Sequence, residues 1–427
     1  MKANIDNIRL GGFANLQDIS LSLNKLSALV APNNYGKSNV LKAIVFGFDF
    51  IQASPAEKRT MMTRKRWMPI NTSMSGAPFS FEISGTVVGK VPMQFCYGFQ
   101  FEWARADSQG GSVIVSEHLR MKALGDAKYR LFISRNDSKE GLFLPTETGR
   151  CTKPLALEGN MLALNKLANY DDLFYVEELR MINSISVKSI NTLENPDDYF
   201  TMTLSDADAS GYSIAFPQPS QIGFFVNSLK RLDPNRYELL RNTVMDLLPN
   251  MEEFEPVQID MRGNAVKDVP YQVPSIFYDI RVKERYNNQT TSISSVSTGC
   301  KKIVLLLVML IAADVNQVPL LMFEELENSV HPKLLQNILT TVAELAGETK
   351  VIITSHSPFL IKYLSAENIL IGVPSDNGIA DFRKIKPNKV GKLMRIASSE
   401  EVSFGEYLFD LMLDMDDSQQ LVKEYLK

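Results

Sequence analysis

The chain opens on short apolar alternations. Ile5, Ile8 and Leu10, then Ile19, Leu21 and Leu23, fall close to a two-residue period interrupted at Gly11 and Gly12, which predicts two strands joined by a turn. Leu26 to Val30 is a third apolar run. It stops at Ala31-Pro32-Asn33-Asn34-Tyr35-Gly36-Lys37-Ser38, and beyond it Val40, Leu41, Ile44, Val45 and Phe48 recur at helical spacing, so this region reads strand, loop, helix. From Pro78 to about Arg135, segments rich in Phe, Val, Ile and Tyr are separated by polar breaks at Gly85, Gly89 to Pro92, Asp107 to Ser112 and Gly125 to Lys128, a pattern of antiparallel strands.

Between residues 141 and 249 the spacing becomes helical, with Leu155, Leu162, Leu164 and Leu167, then Leu173, Val176, Leu179 and Ile182, and this stretch is read as a helical insert. Glu253 to Glu284 returns to strand-like composition. Leu305 to Leu310, Leu320 to Phe323 and Val351 to Thr354 then alternate with helical stretches, as parallel strands with crossover helices do. The first of these lies within the longest apolar run, Ile303 to Ala313, which also reads as a buried helix and falls well short of the about 20 residues that span a bilayer. No internal repeat, low-complexity tract or heptad array is visible.

Composition narrows the class. With 427 residues, 45% apolar, and 45 Lys+Arg against 49 Asp+Glu, neither disorder nor a wholly basic nucleic-acid coat fits. Cys96, Cys151 and Cys300 are scattered, which argues against a disulfide framework and a cysteine-based zinc site. Met1 to Leu10 lacks the basic start and apolar core of a signal peptide, so a cytoplasmic, membrane-free location is expected. Only His118, His331 and His356 are available for histidine chemistry, and His118, on a predicted strand, reads as a surface or packing residue.

Residues 31 to 38 match the phosphate-binding pattern GxxxxGK[ST] except at the first position, where Ala31 replaces Gly. Backbone N–H groups must point into such a loop, so left-handed residues are needed, and Asn33, Asn34 and Gly36 can adopt that conformation. Lys37 would reach the β- and γ-phosphates and Ser38 would ligate Mg²⁺, with Tyr35 and Asn39 completing the nucleotide-binding stretch. Leu320-Leu321-Met322-Phe323-Glu324-Glu325 is an apolar strand ending in two carboxylates, where a parallel sheet places ligands. In that role Glu324 would hold Mg²⁺ through a water and Glu325 would orient or deprotonate an attacking water. Read alone, the same pair is an ordinary solvated strand end. Ser297-Thr298-Gly299 precedes the apolar helix and offers N–H groups to a phosphate, and Val351 to Thr354 leads to Ser355-His356-Ser357-Pro358.

In order and spacing these four elements resemble the ABC-type ATPase heads of the SMC, RecF and OLD group. The run Glu324-Glu325-Leu326-Glu327-Asn328-Ser329-Val330-His331-Pro332 resembles the EEPExxLHP run of the OLD-like branch, with Leu326 in place of Pro. The resemblance covers residues 1 to 135 and 250 to 370. It implies an α/β fold, an ABC-type P-loop ATPase head with an antiparallel lobe and a parallel core. The head would be split between residues 1–140 and 250–427 around the insert at 141–249. It further implies ATP and Mg²⁺ as cofactors, and a homodimer or higher homo-oligomer in which Ser297 and Gly299 contact the γ-phosphate held by a second subunit. Glu325 would be the catalytic carboxylate, and His356 would sense or stabilise the γ-phosphate. The family's conserved glutamine has no clear place here; Gln52, Gln94 and Gln100 are candidates.

The ATPase subunits of Septu- and PARIS-type antiphage systems are similar in having such a head with a modest insert. About 70 residues follow His356, and they carry Asp410, Asp414, Asp416 and Asp417 on a helical pattern rather than a nuclease's acidic set. The expected function is therefore an ATPase sensor that controls a separate nuclease or toxin, triggered by DNA or a phage protein. The alternative is a RecF-like repair ATPase acting on DNA directly. Lys58, Arg59, Arg64, Lys65 and Arg66, next to Trp67, could track a nucleic-acid backbone or an acidic partner, or form a solvated loop.

Overall fold

The chain is seen here as a computed structural model that describes residues 2–64, 68–89, 91–104, 111–191, 195–200, 203–205, 212–260, 276–328, 332–372, 377–413 and 424–426. It divides into two compact units, Met1–Ser189 with Lys350–Lys427, and Ile190–Thr349. The first unit begins β1 (Lys2–Gly11), β2 (Ile19–Ser22), β3 (Leu26–Val30), α1 (Lys37–Gln52) and α2 (Pro55–Met62). It continues with β4 (Phe79–Val88), β5 (Pro92–Glu102), β6 (Val113–Ala123), β7 (Arg130–Arg135), β8 (Glu140–Phe143), β9 (Lys153–Ala156), α3 (Ala163–Leu167) and α4 (Val176–Asn183). A short strand, β10 (Lys188–Ile190), follows where the chain passes from the first unit to the second.

The second unit holds α5 (Asp197–Phe200), β11 (Thr203–Ser205), α6 (Ile222–Leu232), α7 (Pro234–Leu247), β12 (Met251–Asp260), β13 (Ile276–Glu284) and β14 (Thr291–Ser292). It ends with α8 (Thr298–Val315), β15 (Leu320–Phe323) and α9 (Pro332–Leu345). The chain then re-enters the first unit through β16 (Lys350–Ser355), α10 (Pro358–Tyr363), β17 (Ile369–Gly372), β18 (Phe382–Lys384), α11 (Pro387–Ser399) and α12 (Phe404–Leu413).

Two sheets organise the first unit. The larger runs β2-β1-β4-β5-β6-β7-β8-β9, antiparallel throughout. Along β4, Phe79, Phe81, Ile83 and Val87 are buried in strict alternation, so one face of this sheet is core. Against that face α1 lays Phe46 and Phe50, whose rings approach Phe79 (5.0 Å) and Phe101 (4.8 Å) between centroids. Gly47 makes the close approach possible: a Cβ there would sit 2.4 Å from the Phe81 ring, so the helix-propensity cost of a mid-helix glycine is offset by packing. The helix that begins at the phosphate loop is thus clamped onto the antiparallel lobe by aromatic packing. The second sheet of this unit sets β3 between β16 and β17, both parallel to it, with β18 antiparallel at the edge. The mixed α/β class with an antiparallel lobe and a parallel core is the expected one.

The stretch from 141 to 249, read as a helical insert, also carries β9, β10, β11 and the end of β8, and one apolar run departs from its strand reading. The antiparallel sheet runs past residue 141 through β8 and β9, four-residue strands too short to register against the leucine spacing around them. Leu305 to Leu310 is not a strand. It lies inside α8, whose residues from Lys301 to Ala313 are all buried, so an all-apolar run carries no face from which its period could be read. In the second unit β12 and β13 form an antiparallel pair with β11 and β14 on β13. Among the described residues no helix is long and apolar enough to cross a membrane.

Candidate nucleotide site

In the first unit, Val30 pairs in parallel register with Ser355 and with Ile371, so three strands end at the same level. The segments leaving them are the loop from Ala31 to Ser38, His356 with Ser357, and Gly372. This is the carboxyl edge of parallel strands, where open α/β sheets bind ligands. The backbone N–H of Ala31 donates to the Ser355 carbonyl (3.4 Å), and that of Ser357 to the Ser355 hydroxyl (2.9 Å). His356, half-buried, is thereby set beside the start of the phosphate loop.

The loop has the backbone an anion needs. Left-handed conformations fall on Asn34 (φ 59°) and Gly36 (φ 120°) but not on Asn33, whose expected role in the turn passes to its neighbour. Gly36 is the N-cap of α1 and no side chain caps that helix, so the amides of its first turn, including Ser38 and Asn39, are not consumed by a cap. The Lys37 side chain is 6% exposed, and its ammonium donates to the carbonyls of Ala31 (2.8 Å) and Pro32 (2.9 Å), folding back over the loop.

The loop is braced from outside by residues that its motif does not contain. Asn15, in the turn after β1, donates to the Tyr35 carbonyl (3.0 Å) and accepts from the Asn39 amide (2.9 Å). Its own carbonyl accepts from the Ala380 N–H (2.9 Å). The Tyr35 hydroxyl accepts from the Asp381 N–H (3.0 Å) and its ring meets Phe382 edge-on at 5.7 Å. Burial pushes this phenol up to about 12. The Tyr35 side chain therefore anchors the loop to the β17–β18 hairpin.

Gly372 explains why alanine is tolerated at position 31. A Cβ on Gly372 would lie 2.6 Å from the Ala31 methyl and 2.6 Å from the Tyr35 ring, so the methyl absent at one position makes room for the one present at the other. Gly372→Ala is expected to displace the loop and weaken nucleotide binding at least about tenfold, about 1.4 kcal/mol. Gly372→Ala combined with Ala31→Gly should recover part of the loss in the same titration.

In the second unit the acidic strand end and the signature helix are tied together. The four residues of β15 are fully buried, and the Glu324 N–H donates to the Ile190 carbonyl (3.3 Å). Glu325 stands in the left-handed region (φ 48°), an uncommon state for a non-glycine residue and often a functional one. Its Oε2 accepts from the Asn328 amide (2.6 Å) and its carbonyl from the Lys302 ammonium (3.3 Å), which also bonds the Asn328 carbonyl. Lys302 is 2% exposed. It comes from the first turns of α8, so the helix that carries Ser297 and Gly299 also fixes the backbone of Glu325. Ser297 is the N-cap of α8, its hydroxyl accepting from the Cys300 N–H (3.3 Å). Gly299 lies in the first turn, and Lys301 is buried against Asp197 and the Ser294 carbonyl.

Other predicted residues fall elsewhere. Lys58 does not belong to a solvated basic patch: it is fully buried, bonded to the Ile51 and Ala53 carbonyls and Asn165, and burial lowers it to about 8. Arg59 is exposed, and Arg64 lies 5.7 Å over the Phe46 ring. Lys65, Arg66, Trp67, His331, Asp414, Asp416 and Asp417 lie outside the described residues. Gln52 donates to the Ile185 carbonyl (2.6 Å), while Gln94 and Gln100 lie on β5. The sequence reading missed Asn15 and Lys302, since each acts through a contact distant in the chain.

Residues 188–362 match the family model described as "AAA domain, putative AbiEii toxin, Type IV TA system". Similar solved structures include an SMC head bound to the C-winged helix domain of ScpA (13% identity, 91% of this chain and 99% of that one, TM-score 0.48). Others are the SMC head domain from Thermotoga maritima (12%, 90% and 99%, TM-score 0.43) and a Pyrococcus furiosus SMC head with an extended coiled coil bound to the C-terminal domain of ScpA (12%, 93% and 100%, TM-score 0.39). No curated protein matches the chain. The chain thus carries a stretch similar to an AAA domain over residues 188–362, and the strand–loop–helix with the phosphate-binding pattern precedes it in the sequence.

Proposed function

We propose that this chain binds and hydrolyses ATP as the ATPase subunit of a two-component antiphage defence system, and that its nucleotide state controls a separate nuclease or toxin. The observation that carries the nucleotide part is the loop from Ala31 to Ser38: left-handed Asn34 and Gly36, an uncapped α1 and a buried Lys37 at one sheet edge. These residues fit a nucleotide's phosphates, and Ser38 and Glu324 are oxygen donors of the kind Mg²⁺ takes. Bound Mg²⁺ would neutralise charge on the β- and γ-phosphates. In this reading Lys37 and the loop amides hold the phosphates, Glu325 accepts a proton from water, and His356 donates a hydrogen bond to the γ-phosphate. Ser297 and Gly299 serve a second copy of the chain, so that two heads close on two nucleotides.

The defence part is supported by the OLD-like run from Glu324 and by the matched family's description, which names a toxin of a toxin–antitoxin system. Its test is a phage challenge of cells carrying the gene with its neighbour. Protection lost in Lys37→Ala, with the neighbouring product co-purifying with the wild-type chain, is the expected result. Undiminished protection by Lys37→Ala would reject it. ATP-dependent DNA binding by the isolated chain, without protection, would favour the repair reading.

A further inference from the structure

On the antiparallel sheet of the first unit, three side chains with metal-ligating atoms converge from three strands. Glu82 on β4 pairs with Gly98 on β5, and Gly98 pairs with His118 on β6, so the three positions form one row across the sheet. Cys96 lies two residues before Gly98 and so points to the same face. Glu82 and His118 come from strands that are not neighbours, and ordinarily a side chain between them would keep them apart. Here the intervening residue has none. A Cβ on Gly98 would lie 2.7 Å from His118 Cε1 and 3.1 Å from Glu82 Cβ, so the imidazole lies across the glycine and reaches the carboxylate.

The resulting distances are 3.0 Å from His118 Nε2 to Glu82 Oε2 and 4.0 Å from His118 Nε2 to Cys96 Sγ, with all three ligand atoms within 4.8 Å of one another. Tetrahedral coordination with bonds of about 2.0–2.3 Å requires ligand separations of about 3.3–3.6 Å, which these atoms reach by movements of up to about an ångström. All three residues are half-buried, so one side stays open to a solvent ligand. We propose that Glu82, Cys96 and His118 form a three-ligand site for a thiophilic divalent transition metal, Zn²⁺ being the probe of choice.

The surroundings bear on affinity. Arg9, opposite Glu82 on β1, is held by a bidentate pair with Asp18 (2.8 and 2.6 Å), and Arg120 is paired with Cys96 across β5 and β6. Burial pushes the Cys96 thiol up to about 11, while the hydrogen bond from His118 lowers Glu82. Metal binding must displace the thiol proton and the His118–Glu82 bond.

The test uses the full-length reduced protein, stripped with chelator and titrated with Co²⁺ and Zn²⁺. One equivalent of Co²⁺ producing a thiolate charge-transfer band, displaced by Zn²⁺, is expected. Cys96→Ser should abolish the band and His118→Gln should weaken Zn²⁺ binding at least about tenfold, whereas Cys151→Ser leaves both intact. Metal-free melts identify any variant that fails to fold, in which case the other decides. Absence of stoichiometric binding by the wild type would overturn the proposal, as would binding unchanged in both variants; the Glu82–His118 pair would then be only a cross-strand ion pair.

Discussion

Replacing Lys37 with alanine is expected to weaken ATP binding at least about 100-fold, about 2.8 kcal/mol, in an equilibrium titration. The place of the ammonium decides this. It is buried in the loop and held by the carbonyls of Ala31 and Pro32, and in the proposed reading it exchanges them for phosphate oxygens when ATP binds. Because these same bonds tether the loop, the variant also loses internal support, and a thermal melt without nucleotide separates the two effects. A melt close to wild type with binding lost assigns Lys37 to the nucleotide; affinity within threefold of wild type would remove it from the site.

Glu325→Gln is expected to have the opposite profile: ATP bound as tightly as in the wild type, hydrolysis lower by at least about 100-fold, and a dimer that persists in ATP. Glutamine preserves length, and its amide oxygen can still accept from Asn328, so the left-handed turn held by Lys302 should survive. What disappears is the carboxylate that would take a proton from water. Single-turnover hydrolysis and light scattering in ATP read both consequences. Unchanged hydrolysis would show that Glu325 is a structural turn residue and that the proton acceptor lies elsewhere.

The strand, loop and helix from Leu26 to Gln52 were legible because consecutive residues carry the pattern. The apolar strand from Val351 that ends just before His356 was legible for the same reason. What the sequence hid depends on contacts across the chain. Asn15 braces Tyr35 and Asn39 from a turn about twenty residues upstream, and Lys302 reaches Glu325 from a different element. Glu82, Cys96 and His118 lie on three strands, where spacing in the sequence says nothing of distance in space. Lys58 misled for a physical reason: lysines are seldom buried, and only its carbonyl and Asn165 partners make this one an interior residue. Leu305 to Leu310 admitted both a strand and a buried-helix reading because burial on every side erases periodicity, and the helix is what forms.

Every proposed role of the loop and of the acidic strand end requires that the chain hold a nucleotide. Calorimetric titration of the purified wild-type protein with ATP and Mg²⁺ tests it most directly. Saturable binding near one ATP per chain is expected, with a dissociation constant between about 1 μM and 1 mM. A folded wild-type protein that shows no saturable binding at millimolar ATP would contradict it.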